Sequence, residues 1–297
     1  MSRRSDPPAD QATRALSALL RDILASGRKP LAATDMPDEV AVHDLRKAFK
    51  RWRAILRLVE PAIGEEAERL RVEARDLARE VATARDGRAA LEAFADLGQD
   101  SGLSPRVRAT IGERLAGIGA SAEEASLTPE LKTRISEAIA HAASAVERWP
   151  IERFDHEEAT QQLTATYRRV CAAVPADWSA ASPEELHRLR QRVVEHRYQM
   201  ELVEALWPKL IRVWIAEAQR LRDRLGANHD LLILQRFTEP HQPLAHWRSR
   251  LVPLITARQA EHVATAKRLA GRLIAEKPKA FRRRIAALWK HRADARH

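Results

Sequence analysis

Apolar side chains recur every three or four residues along most of the chain, and this spacing is typical of α-helices with one buried face. Between residues 43 and 57, Leu45, Phe49, Trp52 and Ile55 share one face of such a helix. A first helix is predicted over residues 10–26, with Gly27 just after its end. We expect the apolar faces of these two amphipathic helices to be buried in a common core.

The same pattern predicts helices over most of the remaining chain. Thr128, Asp155 and Ser182 occupy positions typical of N-caps, and Gly226 is expected to end a helix. The further predicted helices cover residues 65–84, 105–118, 129–148, 155–174, 182–207, 209–225, 244–275 and 279–293. The predicted fold class is all-α, and residues 1–9 are expected to be disordered.

A motif around His43 returns later in the chain at a fixed distance. His43-Asp44-Leu45-Arg46 matches His187-Arg188-Leu189-Arg190, which lies 144 residues further on, and the same offset takes Arg53 to Arg197. A constant offset over separated motifs indicates an internal repeat. We therefore predict two related helical bundles, in residues 1–150 and 151–297.

The polar face of the helix at residues 43–57 is basic rather than mixed. Asp44 is the one acid in this segment, and the face carries His43, Arg46, Lys47, Lys50, Arg53 and Arg57. Like charges three or four residues apart repel each other and destabilise a helix. A polyanion bound along this face would relieve the repulsion; the alternative is a basic surface helix without a binding role.

The overall charge balance favours an anionic partner. The chain has 51 Lys and Arg against 41 Asp and Glu, a net charge of +10 and a pI near 10.3. Residues 278–297 add seven Lys and Arg against one acid. Clustered basic charge of this kind favours nucleic acid, acidic lipid or phosphate polymers.

Composition also excludes several classes. A single cysteine, Cys171, excludes an internal disulfide and a cysteine-based zinc site. No run of 18 apolar residues occurs, so no membrane insertion is predicted. The first residues lack the apolar segment of a signal peptide, and a cytoplasmic protein without cofactor or metal is expected.

His43 and His187 occupy equivalent positions near helix starts, and three interpretations remain open. Each histidine either satisfies a neighbouring polar group, contacts phosphate or ligates a metal. Arg85-Asp86 and His229-Asp230 are each predicted to end a helix, with Asp86 and Asp230 capping the next helix or holding a basic side chain.

Several motifs together resemble the CHAD domain, the conserved-histidine α-helical domain. The stretch from His43 to Arg53 resembles its first signature, and Leu186-His187-Arg188-Leu189-Arg190 with Arg197-Tyr198 resembles the second. Leu225-Gly226-Ala227-Asn228-His229-Asp230 and Ala84-Arg85-Asp86 resemble further family segments. The resemblance implies two four-helix bundles related by a pseudo-twofold axis, with a basic central groove that binds inorganic polyphosphate. It also implies association with polyphosphate granules.

The resemblance also implies a set of site residues. The matched positions are His43, Arg46, Lys47, Lys50, Arg53, His187, Arg190 and Arg197, and helical phase adds Arg57, Arg75 and Arg79. The second half departs from the family pattern at Gln191, Val194 and Glu201, so the first half is expected to supply most of the charge. Compensating charge is expected from Arg222, Arg224 or residues 279–284.

Other function classes remain as alternatives. A basic helical protein that binds nucleic acid is the nearest, although an aromatic content of 5% leaves few side chains for base stacking. A metal-dependent phosphohydrolase is suggested by His43-Asp44 and His229-Asp230, but no further ligand set is apparent, and no catalytic residue is predicted. A helical scaffold with incidental basic charge is the third alternative.

Overall fold

The computed structural model describes residues 11–33, 35–81, 85–98, 102–123 and 127–294, with the side chains of 85–86, 119–123 and 292–294 left out. Within these ranges the secondary structure is helical, which confirms the all-α prediction, whereas the expected disorder of residues 1–9 lies outside them. The α-helices are α1 Gln11–Ala32, α2 Asp38–Ile63, α3 Glu65–Glu80, α4 Arg85–Asp96, α5 Pro105–Glu123, α6 Pro129–Arg148, α7 His156–Ala173, α8 Pro183–Gln199, α9 Pro208–Arg236, α10 Arg248–Leu273 and α11 Pro278–Asp294. Short 3-10 helices span Ile151–Arg153, Met200–Leu206 and Ala245–Trp247.

Helix α2 is the predicted basic helix, and its apolar face is buried as expected. Asp38 and Glu39 lie in its first turn, where negative charge favours the helix dipole. Leu45, Phe49 and Trp52 are buried on the opposite face from the basic residues. The helix packs against α1, α3 and α8, so its polar face is fixed in direction by contacts on several sides.

The predicted N-caps are present at three helices. The Thr128 side chain accepts a hydrogen bond from the Leu131 amide at the start of α6. Asp155 accepts from two amides at the start of α7, and Ser182 forms a capping box with Glu185 at the start of α8. Each cap satisfies amides that have no partner inside the helix.

Two glycines do not end helices as predicted. Helix α1 runs through Gly27 to Ala32, and a Cβ at Gly27 would lie 3.2 Å from Ile139 Cδ1. Helix α9 likewise continues through Gly226, so His229 and Asp230 lie inside a helix and Asp230 caps no following helix. Both predictions were wrong for one reason: a glycine in a helix also allows close packing, and a local pattern does not distinguish the two uses.

The predicted helix over residues 182–207 is divided. Its α-helical part ends at Gln199, and a 3-10 helix continues through Met200–Leu206. The buried side chains of Met200, Leu202 and Val203 belong to the largest apolar cluster. The tighter winding therefore still directs apolar residues to the core.

The buried apolar residues form three clusters. The first joins residues of α1, α2, α3, α6, α7 and α11, and it includes Phe281, Ile285 and Trp289 on one side of α11. The second joins α4 and α5 to α9 and α10, and the third joins α7 and α8 to α9 and α10. Two clusters thus contain residues from both sides of residue 150, and the division into two repeats at that point stays a prediction.

Over the described ranges, none of the helices combines the length and the apolar character that crossing a lipid bilayer requires.

Candidate functional site

A large cleft lies beside the basic face of α2. Its volume is about 1020 Å³, and α2 contributes His43, Arg46, Lys47 and Lys50 to its wall. Because the apolar face of α2 is buried, these four side chains lie on its outward face, which borders the cleft. The cleft is thus lined by the first four of the six residues predicted on the basic face of this helix.

Helix α8 supplies the facing basic residues. Arg190 and Arg197 both line the cleft, with Val194 and Tyr198 beside them. The Arg197 guanidinium carbon lies 3.9 Å from the centroid of the Tyr198 ring, so a cation–π contact supports its position. Two helices that carry matching motifs therefore place cations in a common space.

Gly226 explains how Arg190 reaches its position. A Cβ built on Gly226 of α9 would lie 3.4 Å from Arg190 Nε and 3.7 Å from its Nη2. The guanidinium therefore lies directly against α9, where a larger side chain would displace it. The glycine that the sequence suggested as a helix end instead makes room for a cleft cation.

The cleft also contains acids that the sequence interpretation missed. Among the described lining residues, seven Lys and Arg face six Asp and Glu. The acids come from the first turn of α2, from α4 and from α9: Asp38, Glu39, Glu92, Asp96, Asp223 and Asp230. Nothing in the local pattern of α4 indicated that it would face α2, because this neighbourhood arises from tertiary packing.

Most of these acids are held in ion pairs. Asp38 pairs with Lys132 at 3.2 Å, and Asp223 pairs with Arg222 at 2.6 Å. Glu39 and Glu92 both pair with Arg88. Basic side chains around the cleft therefore offset much of the acidic charge, and the basic character is greatest along α2 and α8.

Asp96 is the most strongly fixed of the acids. Its carboxylate accepts a hydrogen bond from Arg258 Nη2 at 2.8 Å and lies 2.6 Å from His262 Nε2, both on α10. Burial alone would raise the pKa of Asp96, but the hydrogen bonds from Arg258 and His262 outweigh burial and hold that pKa below its ordinary value. Asp96 is thus an ionised anchor between α4 and α10.

A family model for the CHAD domain matches residues 6–239. The chain belongs to the CHAD domain family. This family is associated in general with polyphosphate binding.

Two solved structures share the CHAD fold seen here. The CHAD domain from the plant Ricinus communis matches with a TM-score of 0.66 and 18% identity, covering 93% of this chain and 96% of that one. PptA from Streptomyces chartreusis matches with a TM-score of 0.65 and 19% identity, covering 91% and 100%. At such identities the likeness shows the fold alone. No curated protein sequence matches the chain.

The CHAD-motif histidines lie in different surroundings. His43 lines the cleft, whereas His187 is not among the described lining residues. The His187 ring lies 5.2 Å from the His229 ring between centroids, and its Nε2 is 2.8 Å from the Gln191 amide nitrogen. Burial, and secondly the charge of Arg190, lowers the pKa of His187, so the neutral form is favoured.

Four predicted site residues form a separate basic cluster outside the cleft, along α2 and α3. They are Arg53, Arg57, Arg75 and Arg79. Burial lowers the pKa of Arg53, and the nearby charges of Arg57, Arg71, Arg75 and Arg79 lower it further. We call this group, with Arg71, the α2–α3 arginine cluster.

Acids partly balance the α2–α3 arginine cluster. The Asp76 Oδ1 atom lies 2.9 Å from Arg75 Nε and 3.6 Å from Arg79 Nη1. The Arg57 Nη1 atom lies 3.7 Å from Glu195 Oε2 on α8. The Arg53 Nε atom is buried and has no hydrogen-bond partner in the described part of the chain.

The remaining sequence candidates are distributed unevenly. Arg222 lines the cleft, while Arg224 and residues 279–284 are not among its described lining residues. Glu201 is not among the described lining residues of the cleft, and its Oε2 atom lies 2.5 Å from Arg51 Nε. Burial raises the pKa of the Glu201 carboxyl. The side chains of Arg85 and Asp86 lie outside the described residues.

The described residues do not form a metal-binding cluster. No group of three or more His, Cys, Asp or Glu side chains among them is arranged to hold an ion.

Proposed function

We propose that this CHAD protein binds inorganic polyphosphate in the cleft between α2 and α8. The observation that carries the proposal is that Arg46, Lys47 and Lys50 line the same cleft as Arg190 and Arg197. The general association of the family with polyphosphate supports it. The protein acts here as a binding protein rather than as an enzyme.

The chemistry of the ligand matches these side chains. Polyphosphate is a flexible chain of anionic phosphates without bases, so recognition depends on charge density and hydrogen-bond donors. Arginine offers a planar fork to two phosphate oxygens, and lysine offers a compact charge. Because these groups project from packed helices, little ordering is required when the polymer binds.

The α2–α3 arginine cluster is proposed as an extension of the site. Arg53 follows Lys50 on the same face of α2, three residues further along the helix, and is surrounded by other arginines. A polymer that leaves the cleft at Lys50 would meet Arg53 next, and then Arg57, Arg75 and Arg79. Short polyphosphates would occupy the cleft without reaching this cluster.

Cellular location follows from the ligand. A cytoplasmic protein that binds polyphosphate in this way is expected to collect at polyphosphate granules. Imaging of a fluorescent fusion alongside a polyphosphate stain tests this expectation, and the variant Arg46→Glu/Lys50→Glu is the control that should remain diffuse.

The main experiment is a titration of the protein with polyphosphates of defined length, with RNA and with ATP, at several salt concentrations. Long-chain polyphosphate should bind most tightly, and its affinity should fall steeply with salt because bound cations of the polymer are released. Lys209→Glu is the matched control: Lys209 is an exposed lysine at the start of α9 that is not among the described cleft residues.

Two results would contradict the proposal. One is tighter binding of RNA than of polyphosphate at matched salt, which would favour a nucleic-acid-binding protein. The other is an equal loss of polyphosphate binding free energy per reversed charge in Lys209→Glu and in Arg46→Glu/Lys50→Glu, which would indicate a general charge effect without a site.

A further inference from the structure

Acidic side chains border the cations of the cleft on two helices. On α2, Glu39 lies on the same face as Arg46 and seven residues before it, which is about 10 Å along the axis at about 1.5 Å per residue. On α9, Asp223 and Asp230 lie three residues before and four residues after the position that contacts Arg190. The cations therefore occupy a short stretch of the cleft with carboxylates next to it.

Two of the cleft acids share one arginine. Glu39 of α2 and Glu92 of α4 both pair with Arg88, and the Arg88 Nε atom lies 3.0 Å from Glu92 Oε1. One guanidinium between two carboxylates leaves one net negative charge in this group of three side chains. Glu39 and Glu92 are both exposed, so an anion that extends beyond Arg46 toward the start of α2 meets this charge.

Polyphosphate and RNA space their charges differently. Neighbouring phosphates share one oxygen in polyphosphate, whereas a ribose that carries a base separates them in RNA. Polyphosphate can therefore place several charges against the stretch from Arg46 to Lys50, which is about 6 Å along the helix at about 1.5 Å per residue. RNA has to extend further to place the same number of phosphates on the protein, and its backbone then passes the carboxylates.

We propose that the carboxylates of the cleft, above all Glu39 and Glu92, make it select polyphosphate over RNA. The inference rests on the proposed function and names the residues that determine the specificity of the same site. Specificity is a difference between two affinities, so repulsion of the wrong ligand increases it. The described lining has seven Lys and Arg and six Asp and Glu, a balance that suits discrimination, whereas a wholly basic cleft would attract both polymers.

The test is a titration of the full chain with long-chain polyphosphate and with single-stranded polyuridylate at one salt concentration, in the wild type and in Glu39→Gln/Glu92→Gln. Affinity for the RNA should rise by about tenfold, because its backbone no longer passes like charges. Affinity for polyphosphate should rise by only about twofold through the change in net charge. The preference for polyphosphate should therefore fall by about fivefold.

Two acids on α6 provide the matched control. Glu137 and Glu147 are exposed and are not among the described cleft residues, so Glu137→Gln/Glu147→Gln makes the same change in net charge outside the cleft. This control should raise both affinities by about twofold and leave their ratio unchanged. Asp223→Asn is an independent cleft variant on α9 and should lower the preference for polyphosphate by about twofold.

The inference is overturned if Glu39→Gln/Glu92→Gln keeps the wild-type preference for polyphosphate, or if the α6 control loses as much of it. If circular dichroism shows that the Glu39→Gln/Glu92→Gln variant does not fold, Asp223→Asn against Glu147→Gln is judged by the same criterion.

The wild type tests the proposed function separately. Tighter binding of polyuridylate than of polyphosphate by the wild type would contradict the proposed function, and this inference with it. A wild-type preference for polyphosphate that persists in the cleft variants would overturn the inference alone.

Discussion

Helices α2 and α8 carry matching motifs 144 residues apart, yet they present different side chains to the cleft. Helix α2 contributes His43, Arg46, Lys47 and Lys50. Helix α8 contributes Arg190 and Arg197 as its basic residues, and Val194 stands at the position equivalent to Lys50. Helix α2 thus supplies three of the seven Lys and Arg in the described lining and α8 supplies two, while Asp38 and Glu39 in the first turn of α2 also line the cleft.

The buried faces of the two helices differ much less. Leu45 and its equivalent Leu189 are both buried, as are Leu56 and its equivalent Met200. Packing keeps the apolar positions similar because a change of volume in a core costs stability. The polar face is under no such constraint, and we infer that the run of cations from Arg46 to Lys50 on α2 binds the polymer more strongly than the two arginines of α8.

The largest expected effect compares charge reversal on the two sides. Arg46→Glu/Lys50→Glu should weaken binding of long polyphosphate by about 100-fold, or about 2.7 kcal/mol, because two phosphate contacts become repulsive. Arg190→Glu/Arg197→Glu should cost less. Calorimetric titration measures both, with helicity by circular dichroism as the control, and a larger loss on the α8 side would contradict the inference.

A second difference between the helices concerns acid stability. His196 of α8 stands at the position equivalent to Trp52 of α2 and is buried among Tyr167, Trp214 and Phe281, with no hydrogen-bond partner in the described chain at either ring nitrogen. Burial, together with the charges of Arg169 and Arg284, lowers the pKa of His196 to about 3.

The unfolded chain therefore takes up a proton at His196 before the folded chain does. The stability that neutral His196 contributes is present above pH 6.5 and is lost as the pH falls toward 3. Between pH 7 and pH 5 the free energy of unfolding should fall by about 2 kcal/mol through this group. Urea unfolding at both pH values should show a smaller fall in His196→Phe; an equal fall would assign the acid sensitivity to other groups.

A gain of binding should follow from making α8 resemble α2. Val194→Lys places a cation on the cleft wall and should tighten polyphosphate binding by roughly fivefold, about 1 kcal/mol. Gln191→Lys, the equivalent of Lys47, is the control because Gln191 contacts His187 and is not among the described cleft residues. Similar gains in both variants would mean that total charge, and not position, determines affinity.

The smallest effect concerns the α2–α3 arginine cluster. Arg53→Gln should weaken binding of long polyphosphate by roughly threefold and leave tripolyphosphate unchanged, because a short polymer does not extend beyond the cleft. Titration with the two lengths measures the difference. Equal losses for both lengths would place Arg53 with the cleft, and no loss for either would remove the cluster from the site.

The basic stripe and the all-α fold could be predicted because both depend on helical periodicity, which a local sequence contains. The buried Leu45, Phe49 and Trp52 already define which side of α2 faces outward. The N-caps at Thr128, Asp155 and Ser182 were predictable for the same reason.

Features that depend on tertiary neighbours could not be predicted. Gly226 lies inside α9, where its missing side chain leaves room for Arg190, and neither residue indicates the other in the sequence. The acids of α4 reach the cleft through packing of α4 on α9. Arg53 falls outside the cleft although it shares the phase of Lys50, because a helix face is longer than the cavity beside it.

The most direct test of the central claim is a crystal structure of the protein with a short polyphosphate. The account predicts phosphate density in the cleft, between Lys50 on one side and Arg190 on the other. Phosphate bound elsewhere, with the cleft between α2 and α8 free of it, would contradict the claim.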